Sequence, residues 1–168
     1  MLLEIANKFS LLSMLLGFAI IYLCLRKAQS GKVPNIRPLP AIDAIPEAIG
    51  RAVELGRPVF AGPGLGGIED QWAAETMSAL NILQHTAQHV AELGADMMCL
   101  VVSTTVQPLA EDAIKTGFTL ANESDKYDPG IVRFVAGSMA YDVSIVGISE
   151  REKPAAAVYI GAYWHPGT

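Results

Sequence analysis

The sequence predicts an α/β domain, a mostly parallel sheet with helices on both faces, placed behind a single N-terminal transmembrane helix. Three observations carry that prediction. An uncharged apolar run of membrane-crossing length opens the chain, four short apolar runs of strand length follow, and a stretch of helical periodicity separates each of these from the next. Strands whose neighbouring residues are both apolar need cover on both faces, and an intervening helix supplies the right-handed crossover that joins parallel strands.

The first element is residues 9–25, FSLLSMLLGFAIIYLCL, which hold no charge and are bounded by Lys8 and by Arg26-Lys27. At about 1.5 Å per residue this helix spans ~25 Å, close to the hydrocarbon thickness once Lys8 and Arg26 snorkel outward. A cleaved signal peptide is the rival, since Ala28-Gln29-Ser30 offers a small-x-small site. The positive charges follow the apolar run instead of preceding it, and the run is longer than an ordinary signal core, so a retained anchor over residues 1–27 is expected. Orientation follows from the flanks. The N-terminal side carries Glu4 and Lys8, whereas Arg26, Lys27, Lys32 and Arg37 follow the run without an acid among them. A single-pass protein of the cell membrane is expected, with its N-terminus outside and its C-terminal domain cytoplasmic. Ser10, Ser13 and Gly17 fall at helical spacing and mark a face for helix contact.

Residues 28–43 read as a spacer, rich in proline at Pro34, Pro38 and Pro40, with Pro46 just beyond. Proline fixes φ and keeps such a segment extended. Past residue 27 nine Lys/Arg stand against sixteen Asp/Glu, a net charge of −7. A domain so acidic is repelled by anionic headgroups and should stand off the bilayer. The same acidity, at a sequence pI near 5.1, excludes nucleic acid as a partner, because backbone binding needs clustered Lys and Arg.

The domain proper is expected over residues 44–168. Asp43 is placed to cap a short helix that ends at Gly56, with Ala48, Ile49, Ala52 and Val53 on one face. Pro58 to Ala61 is a strand, and Gly62-Pro63-Gly64-Leu65-Gly66-Gly67 leads from it into a long helix from about Asp70 to Leu93. Trp72, Thr76, Ala79, Leu80, Leu83, Ala87 and Val90 share one side of that helix. Met97 to Val102 is the second strand. Thr104 or Thr105 caps a helix with Pro108 in its first turn, and Ile131 to Ala136 is the third strand. Gly137-Ser138 opens another helix to about Glu152, Pro154 breaks it, and Ala155 to Ala162 is the fourth strand. Together these define a Rossmann-like arrangement, in which ligands sit outside the carboxyl ends of the strands. The glycine loop, Ser103 to Thr105, Gly137-Ser138 and Tyr163-Trp164-His165 would gather there.

Gly62, Gly64 and Gly67 satisfy G-x-G-x-x-G between strand and helix, where backbone amides hold a pyrophosphate in nucleotide- and dinucleotide-binding domains. The second half of that fingerprint differs. After the next strand stand Ser103-Thr104-Thr105, where an acidic residue would take the ribose hydroxyls, so Ser103 is the only ligand candidate there and a structural turn is the favoured alternative. His85 and His89 are four apart and share a helix face, with Glu92 one turn on, but no third His or Cys accompanies them. An exposed polar face or an oligomer contact is expected ahead of a metal site. Ser138, in Ala-Gly-Ser-Met-Ala, loosely resembles a nucleophile elbow that His165 would serve; a serine there is equally a helix cap, and no acid completes a triad. Cys24 and Cys99 belong to the apolar run and a strand, poorly placed to bridge.

Ile45 to Pro58 (IPEAIGRAVELGRP), Ala79 to Leu83, Tyr127-Asp128-Pro129 before Val132-Arg133-Phe134, and Arg151 to Ala156 leading to Tyr159-Ile160-Gly161 form an ordered set. In that set the chain resembles an uncharacterised prokaryotic family, membrane-anchored and known only as a domain of unknown function. The resemblance covers nearly everything past the spacer and carries over no catalytic residue. Similar proteins continue beyond the Tyr-x-Gly strand, which implies a shortened version here, and they do not keep all three glycines. Two functional classes result. The favoured one is a membrane-anchored scaffold or accessory subunit, a homo-oligomer or a component of a larger membrane complex, with no cofactor. The other is a nucleotide- or dinucleotide-binding, enzymatic domain using loop 62–67, in which Gly64→Asp should abolish ligand binding and leave assembly alone.

Overall fold

The computed structural model describes residues 2–29 and 37–164, and the chain divides into two units, Met1–Pro38 and Leu39–Thr168. The first unit is one helix, α1 (Leu2–Gln29), within which Lys8–Gln29 has a mean hydropathy of 2.0 and is long and apolar enough to cross a membrane. Its large side chains from Phe9 to Leu25 are all exposed. A helix that exposes so many large apolar side chains is stable only where its surroundings are themselves apolar. Ser13 fits such surroundings, since its hydroxyl donates to the Ser10 carbonyl at 2.8 Å and leaves no unbonded donor. Residues 30–36 of the expected spacer lie outside the described residues. Its end is helical, not extended: Pro40–Asp43 forms a single turn, α2, which proline permits in a helix's first turn.

In the second unit α3 (Ile45–Leu55) begins at Ala44, which already has helical backbone and no side-chain cap. Asp43 therefore ends α2 instead of capping α3. Gly56 terminates α3 as expected, at φ +61° with its amide on Val53 O at 3.0 Å. The remaining elements are β1 (Val59–Gly62), α4 (Ala73–Leu93), β2 (Met97–Val101), α5 (Val106–Leu120), β3 (Val132–Phe134), α6 (Ser138–Glu152) and β4 (Ala156–Tyr159).

The four strands form one parallel sheet in the order β3-β2-β1-β4. Phe60 faces Met98 on one side and Ala157 on the other, and Cys99 faces Val132. Every residue of β1 and β2 is buried, as their unbroken apolar sequence requires. The edge strands β3 and β4 are only partly covered, which corrects the expectation that all four are sealed on both faces. Three helices, α3, α4 and α5, pack on one face around Val59, Ala61, Cys99 and Val101; among the described residues α6 is the one helix on the other, over Phe60, Met98 and Leu100, with Leu65 and Tyr163 beside it. Burial pushes the Cys99 thiol up to about 12, so it behaves as a small hydrophobe.

Helices α4 and α5 approach closely where Gly117 meets α4. A Cβ there would stand 2.6 Å from the Gln84 carbonyl oxygen and 2.9 Å from the Ala87 Cβ. Glycine at that point lets two helices touch backbone to backbone.

Candidate functional site

The strand order reverses between β1 and β4, because the chain runs outward from β1 to β3 and returns through α6 to β1's other side. Open α/β sheets bind ligands at that switch point, outside the carboxyl ends of the strands. The glycine loop leaves β1 there, so its position is that of a binding loop. Its surroundings differ.

Gly62 through Gly66 are buried. The backbone after β4 crosses directly over them: Leu65 N donates to Ala162 O at 2.9 Å, and Ile160 N donates to Gly62 O at 3.1 Å. Gly64 has φ +97°, and a Cβ on it would meet Ala162 N at 2.9 Å and Ala162 O at 3.0 Å. Gly161, at φ +120°, leaves room for Pro63 in return. This turn at Gly161 also shortens β4, which ends at Tyr159 and not at Ala162 as the sequence suggested.

An aromatic layer closes the crevice from the α6 side. Tyr163 Oη donates to Gly62 O at 3.1 Å, with Tyr141 Oη 3.4 Å from Tyr163 Oη. Its own proton committed to the carbonyl, Tyr163 receives from Tyr141. A Cβ on Gly62 would stand 2.5 Å from Tyr141 Oη, so the glycine is needed for the tyrosines to reach over the strand end. Phe60 and Tyr159 lie 5.4 Å apart, ring to ring, and Tyr159 and Tyr163 6.0 Å apart. Burial pushes the Tyr163 phenol up to about 12 and Tyr141 further still. Neither ionises at neutral pH. Trp72 stacks on Trp164 at 5.9 Å, tying the start of α4 to the chain after β4.

At the far end of the loop an internal carboxylate takes up the amides that a phosphate would use. Gly67 N donates to Asp70 Oδ2 at 2.9 Å and Trp72 N to Asp70 Oδ1 at 2.8 Å. This Asx-type turn delays the helix, which is why α4 begins at Ala73 and not at Asp70. Thr76, one turn inside α4, is fully buried against Gly66, and its Oγ1 has no hydrogen-bond partner among the described residues. All three glycines of the fingerprint thus have an internal reason: Gly62 the tyrosines, Gly64 the chain after β4, Gly67 the Asp70 carboxylate.

The other candidates stand apart from one another. Ser103 lies past the carboxyl end of β2, its Oγ 2.8 Å from Thr105 Oγ1 and accepting from Thr105 N, a local turn that starts α5. Ser138 is the first residue of α6; the position before it, Gly137 at φ +94°, is the cap, which corrects the expectation that Ser138 caps the helix. His165 falls outside the described residues. His85 and His89 are ring neighbours at 4.5 Å, edge to face, and His89 Nδ1 meets Glu92 Oε2 at 3.0 Å. They are half-buried, not on an exposed face, because α4 is flanked on its sheet side and by α5. Glu92 is held below the usual carboxylate range by the hydrogen bond from Gln88 and by His89. Among the described residues no group of three His, Cys, Asp or Glu is placed to hold a metal.

Sequence reasoning found the loop and missed what closes it. The signal was present in Tyr159-x-Gly161-x-Tyr163, where alternate residues after a strand put two phenols on one side, and in Asp70 three residues past Gly67.

Fold and site together define a Rossmann-like parallel α/β domain whose switch point is packed with its own side chains and backbone, joined to an N-terminal apolar helix. Residues 2–167 match the family described as a domain of unknown function (DUF6754), and the chain belongs to that family. No curated protein and no solved structure matches it.

Proposed function

We propose that the chain is a membrane-anchored α/β scaffold or accessory subunit, its domain in the cytoplasm, which self-assembles or joins a larger membrane complex. The observation that carries this reading is the filled switch point: where such a fold keeps a ligand crevice, this domain uses three glycines, two tyrosines and an aspartate to close it. A domain built that way contributes surface instead of a pocket. Arg26 and Lys27 at the end of α1 support the cytoplasmic orientation.

Native mass spectrometry of the detergent-purified full chain tests the proposal. A defined oligomer of bare chains is expected, and a monomer carrying nucleotide-sized mass would overturn it. The second reading, a nucleotide or dinucleotide on loop 62–67 with Ser103, is favoured by the loop's position alone. It requires Asp70 to release the Gly67 and Trp72 amides, and it predicts that Asp70→Ala binds nucleotide more tightly than the parent chain.

A further inference from the structure

We propose that two copies of this chain pair through the outward side of α6, helix against helix, along Met139, Val143 and Val146. The inference rests on the self-assembly reading and names its surface. Met139, Val143 and Val146 are 75%, 73% and 59% exposed, at spacings of four and three, so they form one stripe. On its inner side α6 buries Tyr141 and Ile148 against Phe60, Met98 and Leu100. A helix apolar on both sides belongs between two layers, and among the described residues the domain supplies one of them.

The shape beside the stripe suits a second helix. Gly147 follows Val146, and a Cβ built on it meets nothing within 4 Å, so it leaves a notch in the helix surface. A glycine inside a helix costs about 1 kcal/mol relative to alanine, and no contact within the domain requires it here. The notch opens into a cleft of about 470 Å³ between α6 and β3, with Leu100, Phe134 and Val143 among its apolar lining and Arg133 and Arg151 at its rim.

Charge selects a second copy as the occupant. Helices α3, α4 and α5 carry six carboxylates against two cations, so copies repel one another through that face. The exposed charges of β3, α6 and Lys153 are three cations, Arg133, Arg151 and Lys153, against two carboxylates, Glu150 and Glu152, while Asp142 has one oxygen buried. A two-fold pairing sets each copy's mixed rim against the other's, which makes the surface complementary to itself. Anchoring in one membrane plane raises the effective concentration of copies, so a stripe this small suffices.

The test compares the full chain with Val143→Asp and, as a control on another exposed apolar residue, Leu120→Asp on α5. Dissociation constants are read by Förster transfer between donor- and acceptor-labelled copies in phosphatidylcholine proteoliposomes over a series of protein-to-lipid ratios, which keeps the copies in one membrane plane. Val143→Asp should weaken pairing at least about tenfold, because a carboxylate then meets its own copy in an apolar contact, while Leu120→Asp leaves it unchanged. In a Cys24→Ser background Val143→Cys should give a dimer with a short bismaleimide, which decides the matter should Val143→Asp fail to fold. Assembly that survives Val143→Asp, with no crosslink at Val143→Cys, would overturn the α6 surface and leave the scaffold reading standing. A parent chain monomeric at every concentration would overturn self-assembly itself, and labelling of Val143→Cys blocked only by added vesicles would assign the face to lipid.

Discussion

The packed switch point predicts that Gly64 is sensitive to the smallest side chain, and that its cost divides into two parts. Gly64 has φ +97°, so any L residue there is strained, by about 1–2 kcal/mol. Its new Cβ would also lie 2.9 Å from Ala162 N and 3.0 Å from Ala162 O. Those are backbone atoms, and Ala162 O is held by the Leu65 amide at 2.9 Å, so it cannot yield without breaking the bond that joins the loop to the chain after β4. Overpacking of this kind costs about 1–3 kcal/mol, which brings Gly64→Ala to roughly 2–5 kcal/mol in all. Gly56 is the matched control: its φ is +61° and a Cβ would meet nothing within 4 Å, so Gly56→Ala carries strain of about 1–2 kcal/mol and no collision. Thermal unfolding of the detergent-solubilised chain, followed by far-ultraviolet circular dichroism, should place Gly64→Ala about 3–9 °C below Gly56→Ala, the overpacking part of about 1–3 kcal/mol at ~3 °C per kcal/mol for a domain of this size. Equal midpoints for the two variants would refute the close approach, and with it the argument that these glycines serve the domain's own packing. For the same reason Gly64→Asp does not separate ligand binding from assembly, as the sequence suggested it would; it strains the fold whichever function holds.

Three further outcomes are expected. Gly117→Val should lower the urea midpoint by the equivalent of roughly 3 kcal/mol or more, since even its Cβ would stand 2.6 Å from Gln84 O where α5 crosses α4; a midpoint within error of the parent would mean the helices are not in contact there. Thr76→Val should hold or raise stability by up to about 1 kcal/mol, because it replaces a buried hydroxyl that has no partner among the described residues by a methyl group of the same shape, and a clear loss would show that the hydroxyl is bonded. Tyr141 and Tyr163 have folded-state values above the ordinary 10, and Cys99 above the ordinary 9.0. The stability they contribute is fully present below those ordinary values and is lost as pH rises from about 9 towards about 12. Phenolate absorbance titrations of the parent chain minus those of Tyr141→Phe and of Tyr163→Phe isolate each phenol among the five tyrosines, and its ionisation should coincide with unfolding; either one ionising near 10 in the still-folded domain would contradict its burial.

The outline of this protein was legible because its elements announce themselves locally. An uncharged run flanked by Lys8 and Arg26 has one stable helical solution, and the continuous apolar runs of β1 and β2 demand two covered faces. Gly56 stops its helix where the pattern placed it, and Gly94 ends α4 at the expected Leu93, because a left-handed residue is a property of a few adjacent atoms. Boundaries failed where a side chain reached back. Asp70 took two amides and delayed α4, and Gly161 turned the chain away from β1 and shortened β4. Edge strands β3 and β4 looked sealed in sequence and are half-covered in space, since an apolar run does not state how many neighbours it will have.

The glycine loop divides the two kinds of knowledge most clearly. That three glycines follow a strand and precede a helix was determined by sequence alone, as were the acidic charge, the anchor-length helix and the parallel α/β class. What those glycines accommodate was decided only by tertiary structure. Tyr141 and Tyr163 are far from Gly62 in the chain, and Ala162 is far from Gly64; they meet because β4 returns to lie beside β1. The same return sets α6 against the face that holds Phe60, Met98 and Leu100 and leaves Met139, Val143 and Val146 outside. Spacing along the chain encodes the conformation of each element. Which surfaces and loops end up in contact depends on strand order, a property of the whole sheet that no single stretch of sequence carries.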